Sequence, residues 1–569
     1  MRTQTDHPST LAEVLEVVEC SQLPATRRRD LASAVRRICV LAGVSPISVK
    51  TEATALRRLV AEIRPAAHGL TGKSWANLRS AFTASLALAG VIDALPRGTA
   101  KVDPAWAPLI EPLTDKRLAN GLAAFLNWCA VQEIAPAAVD DEVVERFRLW
   151  LETRTLHPKP QDVVRRTPAL WNEAQERVPG WPQARLRRRS FRKPRQHLDW
   201  SELAPSFVAE ADAYLDLRRN PDIFAAEGSV PRRPLAKTTL KQQREHLRIA
   251  ASLVARQHGG ADQVLGLSDL VTDEAFKVVL RHFYERAQGK PNAFAISIAK
   301  TLIDVARFHV GVASDNLAEL KRLASKLPAV PLDLTDKNKA LIADLDSEHL
   351  RAALYRLPEE LLAEVSRKLD APRFPFVLAQ VAIAVDILLV APLRPQNLCR
   401  LNWRRHFAEP NGPRGRLLLH IPADETKTGK RELVFELPPD VAQRLRWYRK
   451  HVLSRLGADP NGDFFVIEGG KPKAQATLSQ QVSETLAARV GLNMTIHQHR
   501  HVAAVFYLED HPEDFETVRE LLGHAWSKTT RIYAGNGSKR ASRAFGDFVV
   551  AQRDKLRLKG KRPRRLRRK

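Results

Sequence analysis

From about residue 27 to residue 320, apolar residues recur at three- and four-residue steps, the spacing that gathers them on one face of an α-helix. One plan is repeated three times. Arg27 to Ile63 predicts a helix, a break at Ala42-Gly43-Val44-Ser45-Pro46, and a second helix. Asp115 to Arg154 predicts a helix through Phe125, Trp128 and Cys129, a break at Glu133-Ile134-Ala135-Pro136, and a helix from Val143 to Leu151. Thr238 to Arg286 predicts a pair broken at His258-Gly259-Gly260. Glycine and proline supply the punctuation, so the region reads as small helical bundles in tandem. Leu327 to Asp346, with Pro328 and Pro331, reads as a linker.

Beyond residue 345 the pattern changes. Phe376 to about Val390 is apolar on every side and predicts a buried helix stopped by Pro392. Arg416–Pro422 and Glu432–Leu437 are β-rich and enclose a polar loop with Gly429 at its tip, the signature of a hairpin or a three-stranded sheet edge. Helices return over Leu478–Val490, His497–Glu509 and Thr517–Leu522, and Ser527 predicts the cap of a short helix that carries Tyr533 and ends at Gly535. The expected fold class is mainly α with a small β-sheet in the C-terminal domain. The expected divisions are 1–100, 101–230, 231–330 and 345–550, followed by a tail, 551–569.

Composition narrows the partner. Lys and Arg number 90 against 64 Asp and Glu, a net charge of +26 over 569 residues, which points to a polyanion. From Arg553 to Lys569 there are 11 basic residues and one acidic, so the tail reads as a disordered polyanion-binding arm. A second basic cluster, Arg185, Arg187, Arg188, Arg189, Arg192, Lys193 and Arg195, is interleaved with Phe191 and flanked by Trp181. It lies among Pro160, Pro168, Pro179, Pro182 and Pro194 and reads as loop. Cys20, Cys39, Cys129 and Cys399 form no C-x-x-C pair, which argues against a disulfide framework or a Cys-based zinc site. The Val377–Pro392 run is short for a bilayer and contains Gln380 and Asp386, and Met1 to Leu11 lacks the apolar core of a secretory signal. A soluble cytoplasmic protein, associated with the nucleoid and not with a membrane, is the expectation.

Four features follow in order in the last domain: Ala391-Pro392-Leu393-Arg394, the hairpin tip Lys427-Thr428-Gly429-Lys430, His497-Gln498-His499-Arg500-His501, and Leu521-Leu522-Gly523-His524 with Tyr533 nine residues after the histidine. Singly each is weak; their order and spacing carry the signal. The segment resembles the catalytic domain of tyrosine recombinases, the phage-integrase family, over about 200 residues. The helical units near 115–155 and 235–320 resemble that family's core-binding domains more loosely. The chain departs from the family pattern at Asn397, where an acidic residue is common, at Pro395, and at His499. Histidines at 497, 499 and 501 also raise a metal-site reading, which the neighbouring Arg500 disfavours by repelling a cation.

The resemblance implies Tyr533 as nucleophile, Arg394 and Arg500 as a clamp on the phosphate, Lys427 (alternatively Lys430) as acid for the leaving 5′ oxygen, and His497 and His524 in proton transfer. Such chemistry needs neither metal nor other cofactor, because two guanidiniums stabilise the charge that a metal otherwise would. A phenol with a pKa of ~10 needs nearby cations and a proton acceptor to attack at neutral pH. Double-stranded DNA with specific recombination sites is the implied substrate. Arg187, Arg188, Arg189, Arg192, Lys193 and Lys430 are candidate DNA contacts, and dimers pairing into a tetramer the implied assembly, with related recombinases or accessory factors as further partners. The expected function is a site-specific recombinase or integrase of a mobile element. The alternatives are a type IB topoisomerase-like enzyme and a catalytically silent DNA-binding accessory protein of the same fold.

Overall fold

In the computed structural model the described residues are 7–94, 98–188, 195–222, 224, 233–331, 333–412, 415–426, 429, 431–524 and 549–550. The chain divides into two compact units, Arg192–Leu332 and the remainder on either side of it. The predicted Ser527 cap and Tyr533 helix, and the basic tail, lie outside the described residues.

The larger unit begins with α1 (Leu11–Cys20), α2 (Ala25–Ala42), α3 (Ala53–Glu62) and α4 (Gly72–Leu88) around one apolar core. In α2 the buried residues Leu31, Ala34, Val35 and Ile38 keep helical spacing, and Gly43 ends the helix at φ 66°, a left-handed cap that an L side chain resists. A second core is built on α5 (Lys116–Val131), α6 (Asp141–Thr153) and α7 (Pro160–Arg177). Asp115 and Asp140 cap the first two by accepting backbone N–H bonds. Edge-on rings of Phe125, Trp106 and Trp181 surround Trp171 at 5.0 to 6.2 Å between centroids.

Two of the prolines that precede the basic cluster lie in helix, while the described part of the cluster itself, up to Arg188, has no regular structure. Pro160 sits in the first turn of α7, where a missing N–H costs nothing, and Pro168 is buried inside it. The loop proper starts after Arg177. Residues 181–188 run without regular structure along α7, where Trp171 Nε1 donates to the Ala184 carbonyl at 3.0 Å. Asn172 exchanges two bonds with the Leu186 backbone, both at 2.9 Å.

The second unit packs α8 (Pro205–Arg219), α9 (Lys237–His258), α10 (Asp273–Arg286), α11 (Ala293–Val305) and α12 (Ser314–Ser325) into one core. Here α8 contributes Phe207, Ala211, Tyr214 and Leu215, so the division drawn from sequence at 230/231 separates a helix from its own partners. The Leu235 N–H donates to the Arg218 carbonyl of α8 at 2.9 Å.

The larger unit resumes with α13 (Asp336–Asp344), α14 (Glu348–Ser366) and α15 (Phe376–Val390). The expected linker is therefore helical in its second half: Thr335 caps α13, whose Leu341 and Ile342 are buried in the last core. Pro328 and Pro331 punctuate only what precedes it. The central helix α15 is buried along Ala379–Leu388. Its two polar residues are both partnered. Gln380 Nε2 donates to the Val466 carbonyl at 2.7 Å, and Asp386 pairs with Arg444 at 2.6 and 2.9 Å.

After α15 come α16 (Pro395–Cys399), β1 (Phe407–Ala408), β2 (Leu417–Ile421), β3 (Leu433–Leu437), α17 (Pro439–Tyr448), α18 (Gln475–Arg489), α19 (Gln498–Asp510) and α20 (Phe515–Leu521). The strands form one antiparallel sheet in the order β1-β2-β3, pairing Phe407 with Leu419 and Leu419 with Phe435. Alternating burial along β3 turns Leu433, Phe435 and Leu437 to the core. Among the described residues no helix is long and apolar enough to cross a membrane.

Candidate active site

Each described candidate side chain, Arg394, His497, Arg500 and His524, stands at an element end. Arg394 is the residue before α16, half-buried, and burial lowers its pKa. Arg500 lies in the first turn of α19 and is almost fully buried. His524 follows α20, where Gly523 turns the chain at φ 57°. A Cβ on Gly523 would meet Leu433 Cδ2 of β3 at 2.8 Å, so the Leu-Leu-Gly-His sequence anchors Leu522 in the core and leaves room for the strand.

Arg500 joins the three blocks. Its Nη1 donates to the Pro392 carbonyl at 2.7 Å, two residues before Arg394, and its Nη2 to the Leu522 carbonyl at 2.5 Å, two residues before His524. Separations of 108 and 22 residues are closed by one planar guanidinium. His524 is held by its backbone N–H donating to the Arg519 carbonyl at 2.9 Å and its own carbonyl accepting from Arg519 Nη1 at 3.2 Å. Burial first, then the charges of Arg500 and Arg394, lower the His524 imidazole to about 4. It is neutral at physiological pH and able to take up a proton.

The three histidines at the start of α19 diverge. His497 and His501 stand edge to face with centroids 5.2 Å apart, and burial together with His497 and Arg500 lowers His501 to about 4. His499 is fully buried on another side, its Nδ1 donating to the Thr495 carbonyl at 3.2 Å, and burial lowers it to about 4. Of the predicted DNA contacts, Arg187 and Arg188 are exposed on the segment pinned to α7, with Arg187 facing Asp141 at 3.5 Å. Tyr533, Lys427, Lys430, Arg189, Arg192 and Lys193 lie outside the described residues.

Residues 369–540 match the sequence profile of the phage integrase family. The C-terminal region of the chain belongs to the phage integrase family. The integrase-family domain includes every candidate catalytic position, from Arg394 to Tyr533. An 81-residue stretch is 35% identical to the tyrosine recombinase XerC of Pseudomonas fluorescens, covering 14% of this chain and 27% of that protein. The chain thus spans about a quarter of the length of the curated relative it matches. Similar solved structures include the XerH recombinase bound to difH substrate (15% identity, 60% of this chain, 98% of that one, TM-score 0.30). Another is the Tn1549 transposon integrase with circular-intermediate DNA (16% identity, 58% and 95%, TM-score 0.33).

In the sequence Asn397 is visible only as a departure from the family pattern. In the integrase-family domain it is buried, and its Nδ2 donates to the Glu425 carbonyl at 3.0 Å. Glu425 and His406 carry no local sequence signal, since their pairing spans 19 residues and belongs to no motif.

Proposed function

We propose that this chain is a site-specific DNA recombinase of the tyrosine type, an integrase of a mobile genetic element. The observation that carries the reading is the Arg500 guanidinium tying the Arg394 segment to the His524 segment, which assembles two cations and a neutral imidazole from three separate motifs. The identity with a tyrosine recombinase over 81 residues supports the same chemistry.

In this reading Tyr533 Oη attacks the scissile phosphorus and the P–O5′ bond breaks. The enzyme keeps a 3′-phosphotyrosyl ester whose energy is used to rejoin strands without cofactor. The phenolic proton passes to the neutral His524, with His497 assisting. Arg394 and Arg500 stabilise the pentacoordinate phosphorane, and Lys427 protonates O5′. Dimers on paired sites form the tetrameric synapse, in the cytoplasm on chromosomal or element DNA. The basic 185–195 cluster and the tail supply phosphate contacts.

The test is incubation of the full chain with nicked suicide duplexes tiled across the DNA flanking its own gene. A covalent adduct mapped to one nucleotide and lost in Tyr533→Phe is expected. Adducts at arbitrary sequence with relaxation of supercoiled plasmid by monomers would point instead to a topoisomerase, and an adduct that persists in Tyr533→Phe would overturn the assignment.

A further inference from the structure

Glu425 is held more firmly than a hairpin turn requires. Its carbonyl accepts from Asn397 Nδ2 at 3.0 Å. One carboxylate oxygen lies 3.1 Å from His406 Nε2 and the other 2.6 Å from Arg405 Nη2. The Asn402 backbone N–H donates to His406 Nδ1 at 2.9 Å, which leaves the ring proton on Nε2, facing Glu425. His406 is itself 2% exposed. Residue 425 is therefore fixed through both its backbone and its side chain by residues 397–406. The short helix α16, which Arg394 precedes, carries Asn397 on its buried side. Just beyond, the Gly429 N–H donates to the Thr426 carbonyl at 3.2 Å.

We propose that Asn397, Glu425 and His406 are positioning residues for the leaving-group acid, setting the foot of the hairpin so that Lys427 meets the 5′ oxygen. The proposal rests on the recombinase reading and deepens it. Lys427 is two residues from Glu425, at most ~7 Å of chain, whereas Lys430 is five away and beyond Gly429. During cleavage the P–O5′ electron pair leaves with O5′, which takes a proton from the Lys427 ammonium, and rejoining returns it. Coupling Arg394 and the acid through one short helix keeps the phosphate clamp and the proton donor in register. An ionised aspartate at 397 could not donate to the Glu425 carbonyl, so the amide is required here.

The experiment compares two suicide duplexes bearing the sequence at which the Tyr533 adduct maps. One has the natural O5′ and the other a bridging 5′ sulfur, which departs as a thiolate and needs no acid because thiols are several units more acidic than alcohols. Asn397→Ala and Asn397→Asp in the full chain are expected to slow adduct formation on the oxygen duplex by ~10–100-fold while staying within about 3-fold of the parent on the sulfur duplex. Glu425→Gln, which keeps the backbone bond, is expected to lose less. Equal loss on both duplexes, or loss on neither, overturns the proposal. Failure of the unsubstituted chain to form a Tyr533-dependent adduct on the sulfur duplex would instead overturn the recombinase reading beneath it.

Discussion

Arg500 both closes the fold of the integrase-family domain and carries the charge that the proposed reaction places on the phosphate, so its substitution should be costly twice. A lysine keeps the charge but cannot bond the Pro392 and Leu522 carbonyls together. Arg500→Lys is expected to lower stability by about 2–4 kcal/mol in urea titrations, as lost charge-assisted bonds do, and to abolish measurable adduct formation. His499 sets a pH dependence. Burial holds it at about 4 in the folded chain, while the unfolded chain titrates it at ~6.5, so only the unfolded state takes up the proton between those values. Its stabilising influence is complete above pH 6.5 and is lost as pH falls toward 4, by roughly 3 kcal/mol. Melting temperature should fall across that window, and His499→Leu should flatten the fall.

At the scale of elements, the turn after α20 is the most constrained piece of the site. Gly523→Ala would place a side chain at φ 57° and against Leu433, and should cost about 1–2 kcal/mol of backbone strain in thermal melts. Because the same turn orients His524, adduct formation should drop further than that loss explains. The motif blocks and α15, β2, β3, α18 and α19 were legible in the sequence because each is marked locally, by apolar runs, alternation or a fixed spacing. Two other elements were not. α13 has only two buried residues, Leu341 and Ile342, and follows prolines that read as linker. α7 survives Pro168 because that ring is packed in the core, a tertiary circumstance with no local sign. Asn397 shows the same limit within the site, since its partner lies 28 residues away.

At the scale of the molecule, the charge of +26 predicts binding dominated by counterion release. Replacing Arg187 and Arg188 by alanine should weaken DNA affinity and lower the log–log salt slope by up to ~1.8, as two lost phosphate contacts require. Deleting 551–569 should lower it further; fluorescence anisotropy across a salt series reads both. The first helical core is joined to the catalytic core through the turn at 64–68. Arg64 bonds Asp344 of α13, and Ala67 lies so close to Gly491 that a Cβ there would come within 2.4 Å of the Ala67 nitrogen. In turn α13 reaches α19 through Asn338 and Gln498 at 3.0 Å. A catalytic fragment cut at residue 345 would consequently be born with a wound, its α13 groove and its seat for Ala67 laid open to water. Expressed alone it should clump, whereas one begun at 333 and supplied with residues 7–94 in trans should stay in solution.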